Sequence, residues 1–244
     1  MTAANATVRR AARSPQIVVE RLFNLLLAGD RTAARDVLEE SLAGGTSPES
    51  LANDVLWPIH ETLHTLRRRD QVTAVAFNYA TRLLRALADQ LQLRYQAAPS
   101  RGEHVLLFCG SDELEDLGGQ LAADLLEAAG YTVRFGGGGI AADDILGEVH
   151  ERRPAWLVLF SSSAQDAPRI RQVIDSIRSI GGHPNLRIVV GGGVFNRAPG
   201  LAEEIGAAFS AKDPAGLRAL LLNPGTAAPR TATQPAVRLA ARAA

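Results

Sequence analysis

Residues 104–133 read HVLLFCGSDELEDLGGQLAADLLEAAGYTV. An apolar run from His104 to Cys109 stops at Gly110. A helical pattern follows, and a second apolar run, YTVRF, opens at Tyr131. Strand, helix and strand in so few residues are the grammar of a parallel sheet with crossover helices. The pattern continues downstream. WLVLFS and LRIVV are further short apolar runs, separated by the helical patterns AADDILGEVHERR and IRQVIDSIRSIGG. A weak fifth strand, AAFSA, precedes a last helix, DPAGLRALLL. The expected fold is α/β over 104–222, a doubly wound five-stranded parallel sheet of flavodoxin or Rossmann-like type.

Upstream the grammar is helical. Ser14-Pro15 supplies an N-cap and a proline at the first helical position, and IVVERLFNLLLAGD follows with Val18, Leu22, Leu25 and Leu26 on one face. TAARDVLEESLA gives a second helix ending at Gly44-Gly45. Thr46-Ser47-Pro48-Glu49 starts a third, with Leu51, Val55, Leu56, Ile59, Leu63 and Leu66 at spacings of three and four. Pro58 falls inside that pattern and is expected to kink or divide it. A fourth runs from about Thr73 to Tyr95, with Val75, Ala76, Tyr79, Leu83, Leu84, Leu87 and Leu91 as its apolar set. Short loops between four helices predict an antiparallel four-helix bundle over 14–97. Residues 98–103 read as a linker by composition. Residues 1–13 and 223–244 read as a disordered arm and tail.

The 244 residues carry no net charge, 46% apolar and 21% charged side chains. No overall positive field exists to hold nucleic acid or an anionic membrane, so neither is an expected partner. The single cysteine, Cys109, rules out an internal disulfide. No apolar run reaches the ~18 residues of a membrane span. A cytoplasmic protein is expected.

In such a sheet, ligands sit at the carboxyl ends of the strands. Four segments lie there: SDELEDLGG, the glycines 136–139, the serines 161–163, and GGGVFNR. Glycines such as Gly137, Gly191 and Gly192 remove side chains, which would let a broad ligand lie against the backbone. Ser161 and Ser163 offer hydroxyls. The carboxylates of Glu113 and Glu115 suit the positive end of a helix, but they would repel a pyrophosphate. Neither a G-x-G-x-x-G turn nor a P-loop is present. His60 and His64 lie four apart on the third helix, without an HExxH pattern, and read as two solvated or half-buried polar positions. Cys109 reads as a small buried hydrophobe. No serine sits in a G-x-S-x-G elbow.

This layout resembles the cobalamin-binding module of corrinoid methyltransferases and of light-sensing transcriptional regulators. In that family the turn after the first strand reads D-x-H-x-x-G. Its histidine binds cobalt from below, and the dimethylbenzimidazole tail enters the α/β domain. Gly118 stands at the motif's glycine, Ser161 at the serine after the third strand, and Gly191-Gly192 at the glycine pair after the fourth. VVGGGVFNRAPGLAEEIGA is similar to the closing stretch of the regulatory branch. LWPIHETLHTLRRRDQVTAVAFNYATRLLRAL is similar to the regulators' cap helices, where a tryptophan and a Glu-His pair cover the corrin.

The departures fall on the chemistry. Glu113 replaces the aspartate, Glu115 replaces the cobalt ligand, Arg67 the tryptophan, and Phe77-Asn78 the Glu-His pair. Tyr79, Ala80 and Thr81 still fit. The resemblance implies a cobalamin-binding sensor or regulator with no DNA-binding segment ahead of its bundle, acting through a protein partner or a homo-oligomer. Its cleft would be Glu113, Glu115, Gly118, Gly137, Ser161, Ser163, Gly191 and Gly192; its lid would be His64, Asn78 and Tyr79. The cofactor would keep its tail base on cobalt, or use Glu115 as a weak lower ligand. The alternatives are the same fold holding haem or a bilin, with His60 and His64 as axial or propionate-side residues, a pigment-free interaction module, and a methyltransferase subunit.

Overall fold

The computed structural model describes residues 14–111 and 116–225. The expected arm, most of the tail, and both Glu113 and Glu115 lie outside the described residues.

Helices α1 (Pro15–Ala28) and α2 (Arg31–Ala43) form an antiparallel pair. Ser14 Oγ accepts the Ile17 N–H, and Gly29 ends α1 in the left-handed region at φ 71°. The third helix begins as α3 (Pro48–Leu51), widens into a π-helical turn at Ala52–Leu56, and resumes as α4 (Trp57–Arg68). Proline at position 58 has no N–H to continue the i→i+4 ladder. The chain absorbs this with one wider turn, in which the Trp57 N–H reaches the Ala52 carbonyl. Helix α5 (Ala74–Gln92) closes the bundle.

The buried stripe of α5 is Phe77, Ala80, Leu83, Leu84, Leu87, Ala88 and Leu91. Two expected members, Val75 and Tyr79, are 59% and 53% exposed. At 100° per residue, Phe77 and Ala80 continue the Leu84–Leu87–Leu91 line, whereas Val75 and Tyr79 drift off it.

Residues 97–103 are not a loose tether. The Ala98 N–H donates to the Ala128 carbonyl (2.8 Å) and the Arg101 N–H to the Gly130 carbonyl (2.9 Å). A side chain at Gly130 would overlap the Pro99 carbonyl.

Among the described residues, five strands form one parallel sheet in the order β2-β1-β3-β4-β5. They are β1 (His104–Cys109), β2 (Thr132–Gly137), β3 (Trp156–Phe160), β4 (Arg187–Gly191) and β5 (Phe209–Ala211). Period-two alternation sends side chains to opposite faces. Leu106, Phe108, Leu157, Leu159, Ile188 and Val190 meet α7 (Ala142–Arg152) and α8 (Ala167–Ile180) on one face. Val105, Leu107, Trp156, Val158, Phe160 and Val189 meet α6 (Asp116–Ala128) and α11 (Pro214–Leu222) on the other. Short helices α9 (Gly193–Arg197) and α10 (Leu201–Glu204) follow β4.

Helix α6 belongs to both halves. Its Leu117 and Leu121 join the bundle core with Leu56, Ile59 and Leu63, while Ala122 and Leu126 pack on the sheet. Burying each such leucine stabilises by roughly 1.5–3 kcal/mol. The bundle is thereby seated over the carboxyl edge of the sheet, where β1 and β3 diverge.

Candidate functional site at the strand tips

The β1 and β3 tips are joined by a carboxylate that the sequence reading overlooked. Asp166 ends a short 3₁₀ turn, Ala164–Asp166, and is buried. Its Oδ1 accepts the Ser111 N–H (3.1 Å) and its Oδ2 accepts the Ser161 hydroxyl (2.7 Å). Ser161 Oγ in turn accepts the Ser163 N–H (3.1 Å). Ser163 caps the 3₁₀ turn by accepting the Gln165 N–H. Gly110 is part of the same device, because a Cβ there would overlap the Asp166 carboxylate. Asp166 lies five residues beyond Ser161, and only the turn's geometry brings them together.

The remaining strand-tip glycines serve the protein's own packing. A Cβ at Gly192 would overlap the Ser161 backbone, and Gly192 has φ 96°. At Gly191 a Cβ would come 2.8 Å from the Phe160 ring and 3.0 Å from the Ala211 carbonyl oxygen. Gly119 covers the Cys109 sulfur and Phe135. At Gly137, with φ 70°, a Cβ would come 3.1 Å from the Asp116 carboxylate; it follows a register shift between Leu107 and Phe108 in the β1–β2 ladder. At Gly119, Gly191 and Gly192 the absent side chain is thus explained by close neighbours in the protein itself.

The roof is α4. A Cβ at Gly118 would sit 3.2 Å from both His60 Nε2 and Trp57 Cζ3. Trp57, His60 and His64 fall at spacings of three and four and present one continuous ring face. The Trp57 and His60 centroids are 5.4 Å apart, those of His60 and His64 4.4 Å, and Phe77 meets His64 edge-on at 5.4 Å. The histidines are not solvated positions: His60 is 3% exposed and His64 9%. His60 Nδ1 is buried without a hydrogen-bond partner. Burial, and then the nearby His64, Arg68 and Arg85, hold the His60 imidazolium well below the usual histidine range, so the ring is neutral. Asn78 and Tyr79 do not join this face. Both are exposed, and the Tyr79 ring lies over Gly29 at the end of α1.

Roof and tips also meet through charge. Burial raises the Glu61 carboxyl above its ordinary value, and Arg68 and Arg197 pull it back. Arg197, from α9, donates to the Ser162 carbonyl.

Three openings lie near these groups among the described residues. Beneath the roof, between Trp57, His60, Gly118, Phe160, Ser161 and Gly192, the free volume is about 10 Å³. That is room for about one water molecule. On the other face, beside Gly110 and Asp166, it is about 20 Å³. In this conformation neither fits the bicyclic base of a corrinoid tail. Beside the first lies a cleft of about 560 Å³ between Trp57 and the segments after β4 and β5. Phe195, Ala202 and Ala211 give it apolar walls; Asn196, Lys212 and Asp213 give it a polar rim. Sequence reading missed this cleft, although Phe195 and Asn196 lie in the GGGVFNR stretch it singled out. Among the described residues no group of three or more His, Cys, Asp or Glu side chains could hold a metal ion. No described helix is long and apolar enough to cross a membrane.

Comparison with known proteins follows this architecture. Residues 103–217 match the family model of the B12 binding domain. No curated protein sequence matches the chain. The monomethylamine corrinoid protein of Methanosarcina barkeri superposes with TM-score 0.73 at 14% identity, over 86% of this chain and all of that one. This extends the shared fold to bundle and sheet together. A cobalamin-binding protein from Desulfitobacterium hafniense DCB-2 (TM-score 0.45, 17% identity, 83% of this chain and 96% of that one) is a weaker likeness. So is the methanol:cobalamin methyltransferase complex MtaBC of Methanosarcina barkeri (0.47, 14%, 92% and 89%). Residues 103–217, a little under half of the chain, are thus similar to the B12 binding domain, on a fold shared with a corrinoid protein.

Proposed function

We propose that this protein is a cytoplasmic corrinoid-binding regulator, which takes cobalamin at the carboxyl edge of the sheet and reports its presence through the bundle. Trp57 carries this reading. It packs against the bundle core and against the α6–α11 face of the sheet, and it walls both the narrow slot and the wide cleft. A ligand entering the cleft therefore touches a side chain whose position α4 cannot ignore. A ligand shifts a conformational equilibrium only through such differential contact. The output is contact with a protein partner or a second copy of the chain.

Regulation is favoured over methyl transfer by the sequence at the motif. In the motif that this turn resembles, a neutral imidazole stands at the position of Glu115. Glu115 is a poor substitute for neutral imidazole, and Glu113 beside it adds a second negative charge.

The test is optical. Hydroxo-, methyl- and adenosylcobalamin are each mixed with the protein in the dark and again after illumination, with haem in parallel. Retention of cobalamin with the protein through gel filtration, and quenching of Trp57 fluorescence in a Trp156→Phe background, are expected. No retention and no quenching with any cobalamin would reject the reading. A Soret shift with haem alone would move the assignment to another tetrapyrrole, and passage of a methyl group to a thiol would make the protein a carrier.

A further inference from the structure

Asp124 is a carboxyl in a leucine stripe. On α6 it follows Leu117 and Leu121 at spacings of four and three, on the side where those leucines join the bundle core. It is 4% exposed, and its Oδ2 has no hydrogen-bond partner. We infer that the seating of the bundle is proton-operated: Asp124 carries a proton while α5 lies on α6, and its loss opens that seam and frees the α4 roof from the strand tips. This device needs no bound ligand, so it stands or falls apart from the corrinoid reading above.

The first support is the layout of the seam. Gln120, Asp124 and Glu127 share one side of α6, and Asp89, Gln92 and Tyr95 follow at spacings of three along and just beyond α5. Two bridges cross between them. Gln120 Nε2 donates to Asp89 Oδ1 (2.7 Å), and the Gln92 side chain bonds the Glu127 carboxyl. Asp124 lies between these bridges on α6 and joins neither. The Tyr95 hydroxyl is also buried without a partner, and the Asp124 charge acts on it. A carboxylate ionised in this place would be a buried charge without hydrogen bonds. A protein relieves such a charge by protonating it or by letting water in.

The second is the charge around it. The groups that act on Asp124 are Glu127 on its own helix and Asp89 on α5, both negative. Glu49, on α3, acts on Tyr95 and is negative too. Arg94, next to Tyr95, is tied to Glu39 (3.0 Å). On the sheet side of α6, α11 and β2 supply the apolar Leu217, Leu221, Val133 and Phe135. Arg218, the one charged residue of α11, is not among the groups that act on Asp124. His60 and His64 lie further along, where α4 meets Gly118. Burial, and then the two carboxylates, push the Asp124 pKa up to about 7.

The third is the route to the roof. The helix that carries Asp124 also carries Gly118, whose virtual Cβ lies 3.2 Å from both His60 and Trp57. The two positions are within two turns of each other. Water entering at Asp124 therefore loosens the same helix face on which α4 sits. The direction follows from linkage. The closed seam binds the proton more tightly than an open one, where the value is near 3.8. Closing is fully favoured below about pH 4, weakens as pH rises, and has lost its proton-linked share above about pH 7.

The experiment follows Trp57 in the full chain without ligand. The other tryptophan, Trp156, is fully buried in β3, so quenching by acrylamide reports the roof. Between about pH 5 and about pH 8 the quenching constant is expected to rise roughly twofold, while far-UV circular dichroism stays unchanged. Asp124→Asn, which cannot ionise, should abolish the rise. Asp124→Leu, which extends the apolar stripe, should abolish it as well and guards against a folding defect peculiar to the amide. Both variants keep His60 and His64, so any titration of those rings beside Trp57 cancels in the comparison. A rise that survives in both variants would overturn the assignment to Asp124. A flat profile in the parent would overturn the switch itself. Loss of circular dichroism in step with the quenching would mean unfolding of the whole chain and would equally reject an opening confined to the seam.

Discussion

Two openings lie side by side at the carboxyl edge of this sheet, and they share one wall, Trp57. Beneath it the space is about 10 Å³; beside it, about 560 Å³. The narrow one has the residues that suggest a binding site: glycines at strand tips, serines, a histidine. The wide one is bounded by Phe195, Asn196, Ala198, Pro199 and Lys212, which suggest only a loop. A missing side chain does not mean empty space. It often means that another part of the protein needed to come close, and the distance to a virtual Cβ tells the two cases apart.

The sharpest way to break this contrast is Gly192→Ala. The methyl group would overlap the Ser161 backbone, and the φ of 96° adds strain that only glycine avoids. Nothing there is a flexible side-chain end that could yield. A loss of roughly 4 kcal/mol or more is expected in urea unfolding followed by circular dichroism. A loss below about 1 kcal/mol would show that the slot has slack, and the packing argument would weaken.

Asp166→Ala comes next. It orphans the Ser111 N–H and the Ser161 hydroxyl at once, so a loss of roughly 2–4 kcal/mol is expected. Asp166→Asn keeps an acceptor for the Ser111 N–H and should lose less. If the two variants unfold alike, the carboxylate does not hold the β1 and β3 tips together.

These residues also mark what the sequence could and could not disclose. Strand and helix succession followed from periodicity, because burial on a sheet face or a helix stripe repeats every 2 or 3.6 residues. A break at Pro58 was implied by its missing N–H, but the π turn that absorbs it was not. The roof was partly readable: Trp57, His60 and His64 keep helical spacing, but polarity argued for solvent, and only the seating of α4 on Gly118 buries them. Asn78 and Tyr79, read as part of a lid, are exposed and lie off the Phe77–Ala80–Leu84 line. Asp166 was invisible because its partners, Ser111 and Ser161, come from two different strand ends. Such contacts depend on topology and leave no local period. The cleft was missed for the same reason, being assembled from α4, α9, α10 and the turn after β5.

The slot stays narrow only while the roof is held down, and the seam between α5 and α6 offers a pH-dependent test of that hold. Asp124 is 4% exposed, with Oδ2 lacking a hydrogen-bond partner. Burial first, and then the carboxylates of Glu127 and Asp89, push its pKa up to about 7. A folded-state value above the unfolded one, near 3.8, means that the folded protein holds the proton more tightly. Stability is therefore lost as pH rises from about 4 to about 7, and the penalty is complete above that. Asp124→Asn removes the charge. It should stabilise by roughly 1–3 kcal/mol at pH 8 and by almost nothing at pH 4. A pH-independent difference between variant and parent would place Asp124 in water and free the seam of this strain.

The smallest expected effect is the control for the largest. Gly200 borders the wide cleft and, like Gly192, is left-handed, at φ 92°. No atom outside its immediate neighbours lies within 4 Å of its virtual Cβ. Gly200→Ala therefore isolates backbone strain from collision, and strain alone costs about 1 kcal/mol. Matched losses at 192 and 200 would mean that dihedral preference, rather than a filled slot, explains the strand-tip glycines. A gap of about 3 kcal/mol between them would measure the collision itself, and with it how firmly the tips of β3 and β4 are closed to a ligand.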